Sequence, residues 1–141
     1  MEKKVFTVEE ANILVPRVNV IFERIFDLNE SVRALSLDMK VLLDIWSQGI
    51  FQEKNTDHAF YMEKVQKREG LVKEIRERVL EINSLGCFVK DAEKGLVDFY
   101  HEREGEIIYL CWAHGDDRIR FWHGLGEGFQ GRKPLELLRA K

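Results

Sequence analysis

From Val18 to Trp46 the chain reads VNVIFERIFDLNESVRALSLDMKVLLDIW. Within it Val18, Ile21, Ile25, Leu28, Val32, Leu35, Met39, Leu42 and Trp46 alternate spacings of three and four without a miss. Such positions share one stripe only on a helix, and a seam of this kind packs lengthwise on a second helix, as in a coiled coil. The partner lies downstream. Tyr61, Val65, Val72, Ile75, Val79 and Ile82 keep the same spacing between Asp57 and Leu85, interrupted at Arg68. Each seam spans about 43 Å at 1.5 Å per residue. Ser47 to Thr56 is a short link containing Gly49, so an antiparallel helical hairpin is the economical arrangement. Pairing the arms about that link sets Ala34 beside Gly70. Close backbone approach there would account for a glycine that costs about 1 kcal/mol in a helix interior.

Toward the N-terminus, Thr7-Val8-Glu9-Glu10 has the pattern of a capping box, so a short helix is predicted to begin at Val8. Pro16 lacks a donor and is expected to break or kink it, with a second helix starting there. Toward the C-terminus, Gly86 supplies a left-handed helix stop. Beyond it the hydrophobic period changes to two. Cys87 to Lys90, Leu96 to His101, Glu106 to Ala113 and Arg118 to His123 read as strands. Gly115-Asp116 suits a two-residue type II′ turn. That turn sets Ala113 opposite Arg118, Cys111 opposite Arg120 and Tyr109 opposite Trp122. Matching apolar faces puts Val97 across from Leu110. One sheet face then holds Val97, Phe99, Ile108, Leu110, Trp112, Ile119 and Phe121 and should pack on the helices. The other is mixed: Leu96, Asp98, Tyr100, Ile107, Tyr109, Cys111, Arg120 and Trp122. Gly124 to Gly131 reads as a loop, and Leu135 to Arg139 as a last helical turn behind Pro134.

The fold class expected is therefore α+β: a long antiparallel, coiled-coil-like helical hairpin followed by a small antiparallel sheet of three to four strands. One domain covers residues 1–141, with a short N-terminal helix and the hairpin over 8–85, the sheet over 87–123 and a glycine-rich tail over 124–141. The chain is 45% hydrophobic and 33% charged, a globular balance. A net charge of −3 gives no global field toward nucleic acid or anionic membrane. No stretch has the length of an apolar membrane span, and the first residues hold no apolar run of signal-peptide length. Cys87 and Cys111 have no metal-ligand spacing, so two free thiols in a reducing, cytoplasmic compartment are expected.

Several segments together resemble a bacterial family labelled domain of unknown function 2203. They are Phe6-Thr7-Val8-Glu9-Glu10-Ala11-Asn12 with Pro16, Gly95-Leu96-Val97-Asp98-Phe99, Tyr109-Leu110-Cys111-Trp112, Trp122-His123, and Gly128-Phe129-Gln130-Gly131-Arg132 with Pro134-Leu135. The resemblance runs through most of the chain. It implies a whole-chain domain of the bacterial cytoplasm and brings no activity, substrate or catalytic residue.

Gly126-Glu127-Gly128-Phe129-Gln130-Gly131 fits G-x-G-x-x-G, but a dinucleotide site needs a parallel βαβ unit, and here the sheet reads as antiparallel. The loop amides with Arg132 could hold a small anion, while packing of the tail on the core is the simpler reading. Cys111 and His123 fall on opposite faces in the expected register, so no metal and no cofactor is expected. Cys111 beside Arg120 could be an activated thiol, but no histidine stands as its base, and no catalytic residue is assigned. Asp98, Tyr109, Cys111, Arg120, Trp122 and Arg132 form a polar-aromatic candidate binding surface of the kind recognition sites use.

The hairpin carries apolar residues beyond its seam: Val41, Leu43 and Ile45, then Ile50 and Phe51 at the tip. Strands of six to eight residues reach only about 20–27 Å, too short to cover both arms. Self-association, most simply a homodimer, is expected there. The favoured reading is a non-enzymatic homo-oligomeric interaction or adaptor module that contacts an unknown protein or small anionic ligand. A small-molecule-binding protein or enzyme working at the mixed sheet face is the alternative. Nucleic-acid binding through the basic C-terminal region is the weakest reading, and no membrane partner is expected.

Overall fold

The computed structural model describes residues 4–127 and 129–135. In chain order it contains α1 (Val8–Trp46), a 3₁₀ turn (Ser47–Phe51), α2 (His58–Ser84), β1 (Phe88–Asp91), β2 (Leu96–Arg103), β3 (Glu106–Ala113), β4 (Phe121–Gly124), a second 3₁₀ turn (Phe129–Gly131) and β5 (Lys133–Pro134). The strands form one antiparallel sheet in the order β1-β2-β3-β4-β5, one strand more than expected, because two residues of the tail pair with β4. The helical turn expected from Leu135 to Arg139 falls outside the described residues. Among the described residues, no helix is long and apolar enough to cross a membrane. The chain forms two compact units. One runs up to Arg24 and resumes at Arg78; the other is Ile25–Glu77.

The sheet unit begins with the capping box. The Thr7 hydroxyl accepts from Glu10 N at 3.0 Å, and the Glu10 carboxylate accepts from Thr7 N at 2.9 Å. Pro16 does not end the helix. It lies inside a continuous α1, so the expected break and second helix start are not found. A proline in a helix interior costs about 3 kcal/mol. Here Ala11 and Val15 before it and Val18 and Phe22 after it are all buried, so packing on both sides carries the helix through. This part of α1 covers one sheet face: Phe22 packs on Trp112 with ring centroids 5.8 Å apart. Phe6 meets Phe99 edge-on at 5.2 Å. Gly86 ends α2 at φ +102°, as predicted. A Cβ there would also lie 2.8 Å from a Lys4 side-chain carbon.

The helical unit is an antiparallel pair. Trp46 Nε1 donates to Asp57 Oδ2 at 2.8 Å, and Lys64 Nζ reaches Asp38 Oδ2 at 3.3 Å. The seam positions Ile25, Leu28, Leu35, Met39 and Leu42 are buried. At the tip, Met39, Leu42, Ile50 and Tyr61 form a small core. His58 Nδ1 donates to Ile50 O at 2.9 Å and holds the 3₁₀ turn against α2. Ile50 is fully enclosed in this core, so it is no part of an exposed association surface. Gly70 is not a close approach either: nothing lies within 4 Å of where its Cβ would be.

The two glycines should therefore respond oppositely to substitution. Gly70→Ala is expected to stabilise the protein by about 1 kcal/mol, because it meets no atom and removes unfolded-state freedom. Gly86→Ala is expected to destabilise it by about 1–2 kcal/mol or more through left-handed strain and the Lys4 contact. Chemical denaturation of the two variants checks both signs.

Candidate functional site on the polar-aromatic sheet face

Turn chemistry positions the site. Between β2 and β3, Glu104 and Gly105 both take positive φ, 53° and 81°, which is the requirement of a two-residue type I′ turn. It sets Arg103 opposite Glu106, Val97 opposite Trp112 and Phe99 opposite Leu110. The expected pairing of Val97 with Leu110 is thus displaced by two residues, a shift that leaves the faces unchanged. The next connection differs more. No two-residue turn forms at Gly115-Asp116. Residues 114–120 make a seven-residue loop, and β4 pairs as Cys111↔Phe121, Leu110↔Trp122 and Tyr109↔His123. This moves β4 by one residue against the expected register and exchanges its two faces.

Three consequences follow for the candidate residues. Trp122 joins Leu110 on the opposite face, where Lys133 Nζ sits 4.7 Å from its ring centroid. Arg120 lies outside the strands. Its guanidinium bonds Asp117 at 2.8 Å and holds that carboxyl below its usual range. Arg118 and Arg120 line an open pocket of about 320 Å³ with Asn12, Phe121 and Pro134. The third consequence is a gain: His123, excluded by the expected register, comes onto the face of Asp98, Tyr109 and Cys111.

Two cross-strand rows build this face. One is Phe88, Asp98, Cys111, Phe121 and Pro134; the other is Tyr100, Tyr109 and His123. The His123 ring leans across from the second row to the first, so that Nε2 lies 3.2 Å from Asp98 Oδ1. Its Nδ1 lies 3.1 Å from Gly124 O. The Asp98, Cys111 and His123 donor atoms all lie within 4.8 Å of one another, and all three residues are buried. Aromatic rings flank them: Tyr109 lies tilted against His123 at 5.0 Å and Tyr100 at 5.3 Å, and meets Phe88 edge-on at 5.5 Å. From the β5 side, the Arg132 guanidinium lies 4.2 Å over the Phe121 ring.

Burial works against thiol nucleophilicity at Cys111. Burial pushes the Cys111 thiol up to about 12, with the Asp98 charge adding to it and Arg132 opposing. The cation beside Cys111 is thus Arg132, not Arg120. Burial likewise raises the Asp98 carboxyl, against the pull of His123. Asp98 Oδ2 is buried with no hydrogen-bond partner. Burial raises Tyr109 as well, reinforced by Tyr100 and Asp98. Cys87 is held apart from this cluster. Its thiol donates to Ile82 O at 3.4 Å, and burial raises it to about 11.

The glycine-rich loop supplies its own anion. Glu127 accepts from Gly124 N at 3.1 Å and from Lys133 Nζ at 2.8 Å, and a Cβ at Gly131 would lie 2.9 Å from its carboxylate. These contacts account for the close packing at Gly124 and Gly131. The antiparallel sheet leaves no βαβ unit for a dinucleotide.

Both cysteines are free and buried. Neither thiol is expected to react with a disulfide reagent at about pH 8 in the folded protein, while both react after denaturation. In the unfolded chain each ionises near 9.0; in the folded protein they ionise near 11 and 12. The folded state therefore binds more protons across that window, and the thiol contribution to stability falls as pH rises from 9 through 11. Thiol titration in native buffer and in guanidinium checks the first expectation, and alkaline denaturation curves the second.

No curated protein and no solved structure matches the chain. A family model described as "Uncharacterized conserved protein (DUF2203)" matches residues 4–135. Asp98, Cys111, His123 and Arg132 each come from a different one of the segments that carry the family resemblance. With all but the ends of the sequence matched, the chain belongs to the DUF2203 family.

Proposed function

We propose that the protein is a small-ligand-binding domain whose site is the polar-aromatic face of β2, β3 and β4 around Asp98. The observation that supports this is the buried Asp98 carboxylate, with one oxygen facing His123, the other without a conventional hydrogen bond, and only the weak Cys111 thiol as a further partner. An orphaned buried acceptor costs about 1–3 kcal/mol, more when charged, and a bound ligand removes that cost. Arg132 at the β5 side of the cluster and the Tyr100–Tyr109 rings beside it add the mixed contacts that small ligands use. The raised thiol speaks for binding over nucleophilic catalysis.

Native mass spectrometry of the protein purified without denaturation tests the reading. The wild type should retain a non-covalent mass that Asp98→Asn loses. The reading falls if the wild type is bare and its melting temperature responds neither to divalent metal chlorides nor to small carboxylates and phosphates.

A second reading, a homo-oligomeric interaction module, is favoured by a different observation. Leu37, Val41 and Ile45 recur every four residues on α1 and are all more than half exposed, as are Phe51 and Phe60 near the tip. An apolar stripe of this kind, with i, i+4, i+8 spacing, is the contact face of paired helices. Static light scattering should give a dimer mass for the wild type and a monomer mass for the Val41→Glu, Ile45→Glu double variant. A wild type that is monomeric at micromolar concentration removes this reading.

A further inference from the structure

We propose that Asp98, Cys111 and His123 bind one divalent transition-metal ion of the zinc class, an inference that rests on the ligand-binding reading and names its ligand.

The donor geometry is the first support. A four-coordinate ion sits about 2.0–2.3 Å from nitrogen, oxygen and sulfur donors, which places those donors about 3.3–3.8 Å from one another. In the structure Nε2 and Oδ1 are 3.2 Å apart, and all three donor atoms fall within 4.8 Å. Small side-chain rotations bring the set to coordination distance. The backbone needs no rearrangement, because Asp98 and Cys111 are direct partners in the ladder and His123 enters from the adjoining strand.

Proton placement is the second. Gly124 O can only accept, so His123 Nδ1 carries a proton and donates to it. Nε2 is then directed at Asp98 Oδ1, an acceptor when ionised. Two acceptors 3.2 Å apart need a cation between them, either a proton or a metal ion. A proton joins only Nε2 and Oδ1. It leaves Asp98 Oδ2 buried without a conventional hydrogen bond and gives the carboxylate only the weak Cys111 thiol as a further partner. A metal ion engages carboxylate, imidazole and thiolate together. An Nδ1–H donated to a backbone carbonyl is also the contact that orients a metal-bound imidazole.

Charge is the third. A carboxylate and a thiolate carry two negative charges, which a dication neutralises within a buried site. The mixed nitrogen, oxygen and sulfur set suits zinc and neighbouring first-row dications. Magnesium and calcium prefer oxygen alone. On binding, the Cys111 S–H bond breaks, its proton leaves to water, and a sulfur–metal bond forms. Any proton held between His123 and Asp98 is released in the same way.

The full-length protein, stripped with a chelator, is titrated with cobalt(II) chloride and then zinc chloride. One equivalent of cobalt should give a thiolate-to-cobalt charge-transfer band, which one equivalent of zinc abolishes. Cys111→Ser should lose the band, and Cys87→Ser should keep it. His123→Gln and Asp98→Asn should weaken cobalt affinity about tenfold or more. Circular dichroism establishes that each variant is folded, and the wild-type titration needs no variant at all. The proposal is overturned if the wild type gives no band, if the band survives Cys111→Ser, or if folded Cys87→Ser loses it. If metals leave the wild type unchanged while an organic mass is retained or small anions raise its melting temperature, the metal assignment fails and the ligand-binding reading stands. If neither metals nor small anions act and the protein is bare, both fail.

Discussion

Strand β4 joins β3 with Cys111 opposite Phe121, and every contact that His123 makes with the buried cluster depends on that registration. A ladder has a side-chain period of two, so one residue of slip would carry His123 to the helix-covered face and Trp122 into its place. The loop over residues 114–120 holds the registration from several sides. Trp112 Nε1 donates to Asp116 O at 2.9 Å, and Asp116 N closes on Ala113 O at 3.0 Å. Ile119 N donates to the Asn12 side chain on α1 at 2.8 Å. Leu135 N then bonds Arg120 O at 2.8 Å and draws β5 alongside β4. Asn12 thus adds a contact from α1 to those that β3 itself makes with the loop before β4.

On this frame the sheet separates its two faces by chemistry. The face toward α1 holds Val97, Phe99, Leu110 and Trp112, all fully buried, and contributes the apolar burial that any domain of this size needs. The other face places Asp98, Cys111 and His123 out of water, although an ionised carboxylate is among the most costly groups to bury. Phe88, Tyr100, Tyr109 and Phe121 beside them exclude solvent and strengthen every interaction among them. A polar cluster sheltered in this way on rigid strands is pre-organised, since none of its members must be gathered from a loop.

The helical unit solves a different problem. Its seam buries Ile25, Leu28, Leu35, Met39 and Leu42, while Leu37, Val41 and Ile45 on another face of the same helix remain exposed. Trp46, the last seam position, is 40% exposed and spends its indole N–H on Asp57, closing the link between the helices. The tip core of Met39, Leu42, Ile50 and Tyr61 needs the 3₁₀ turn to fold Ile50 inward. That turn was not visible in the helical period, because it interrupts the period.

Local and periodic features were legible in the sequence itself. The capping box at Thr7 and Glu10, the seam from Val18 to Leu42, the stop at Gly86, the change to period two and the antiparallel sheet all arise from interactions among near neighbours in the chain. Asp98, Tyr109 and Cys111 could be placed on one face for the same reason, since the alternation within and between β2 and β3 survives an even shift. What only the tertiary structure decided depends on contacts distant in sequence. Pro16 remains helical because buried neighbours on both sides outweigh its local penalty. His123 meets Asp98, and Trp122 leaves the face, because the loop before β4 has seven residues, held in part by Asn12, more than a hundred residues upstream of Ile119. Loop length sets strand parity, and the contacts that hold the loop include a long-range hydrogen bond that no local pattern records.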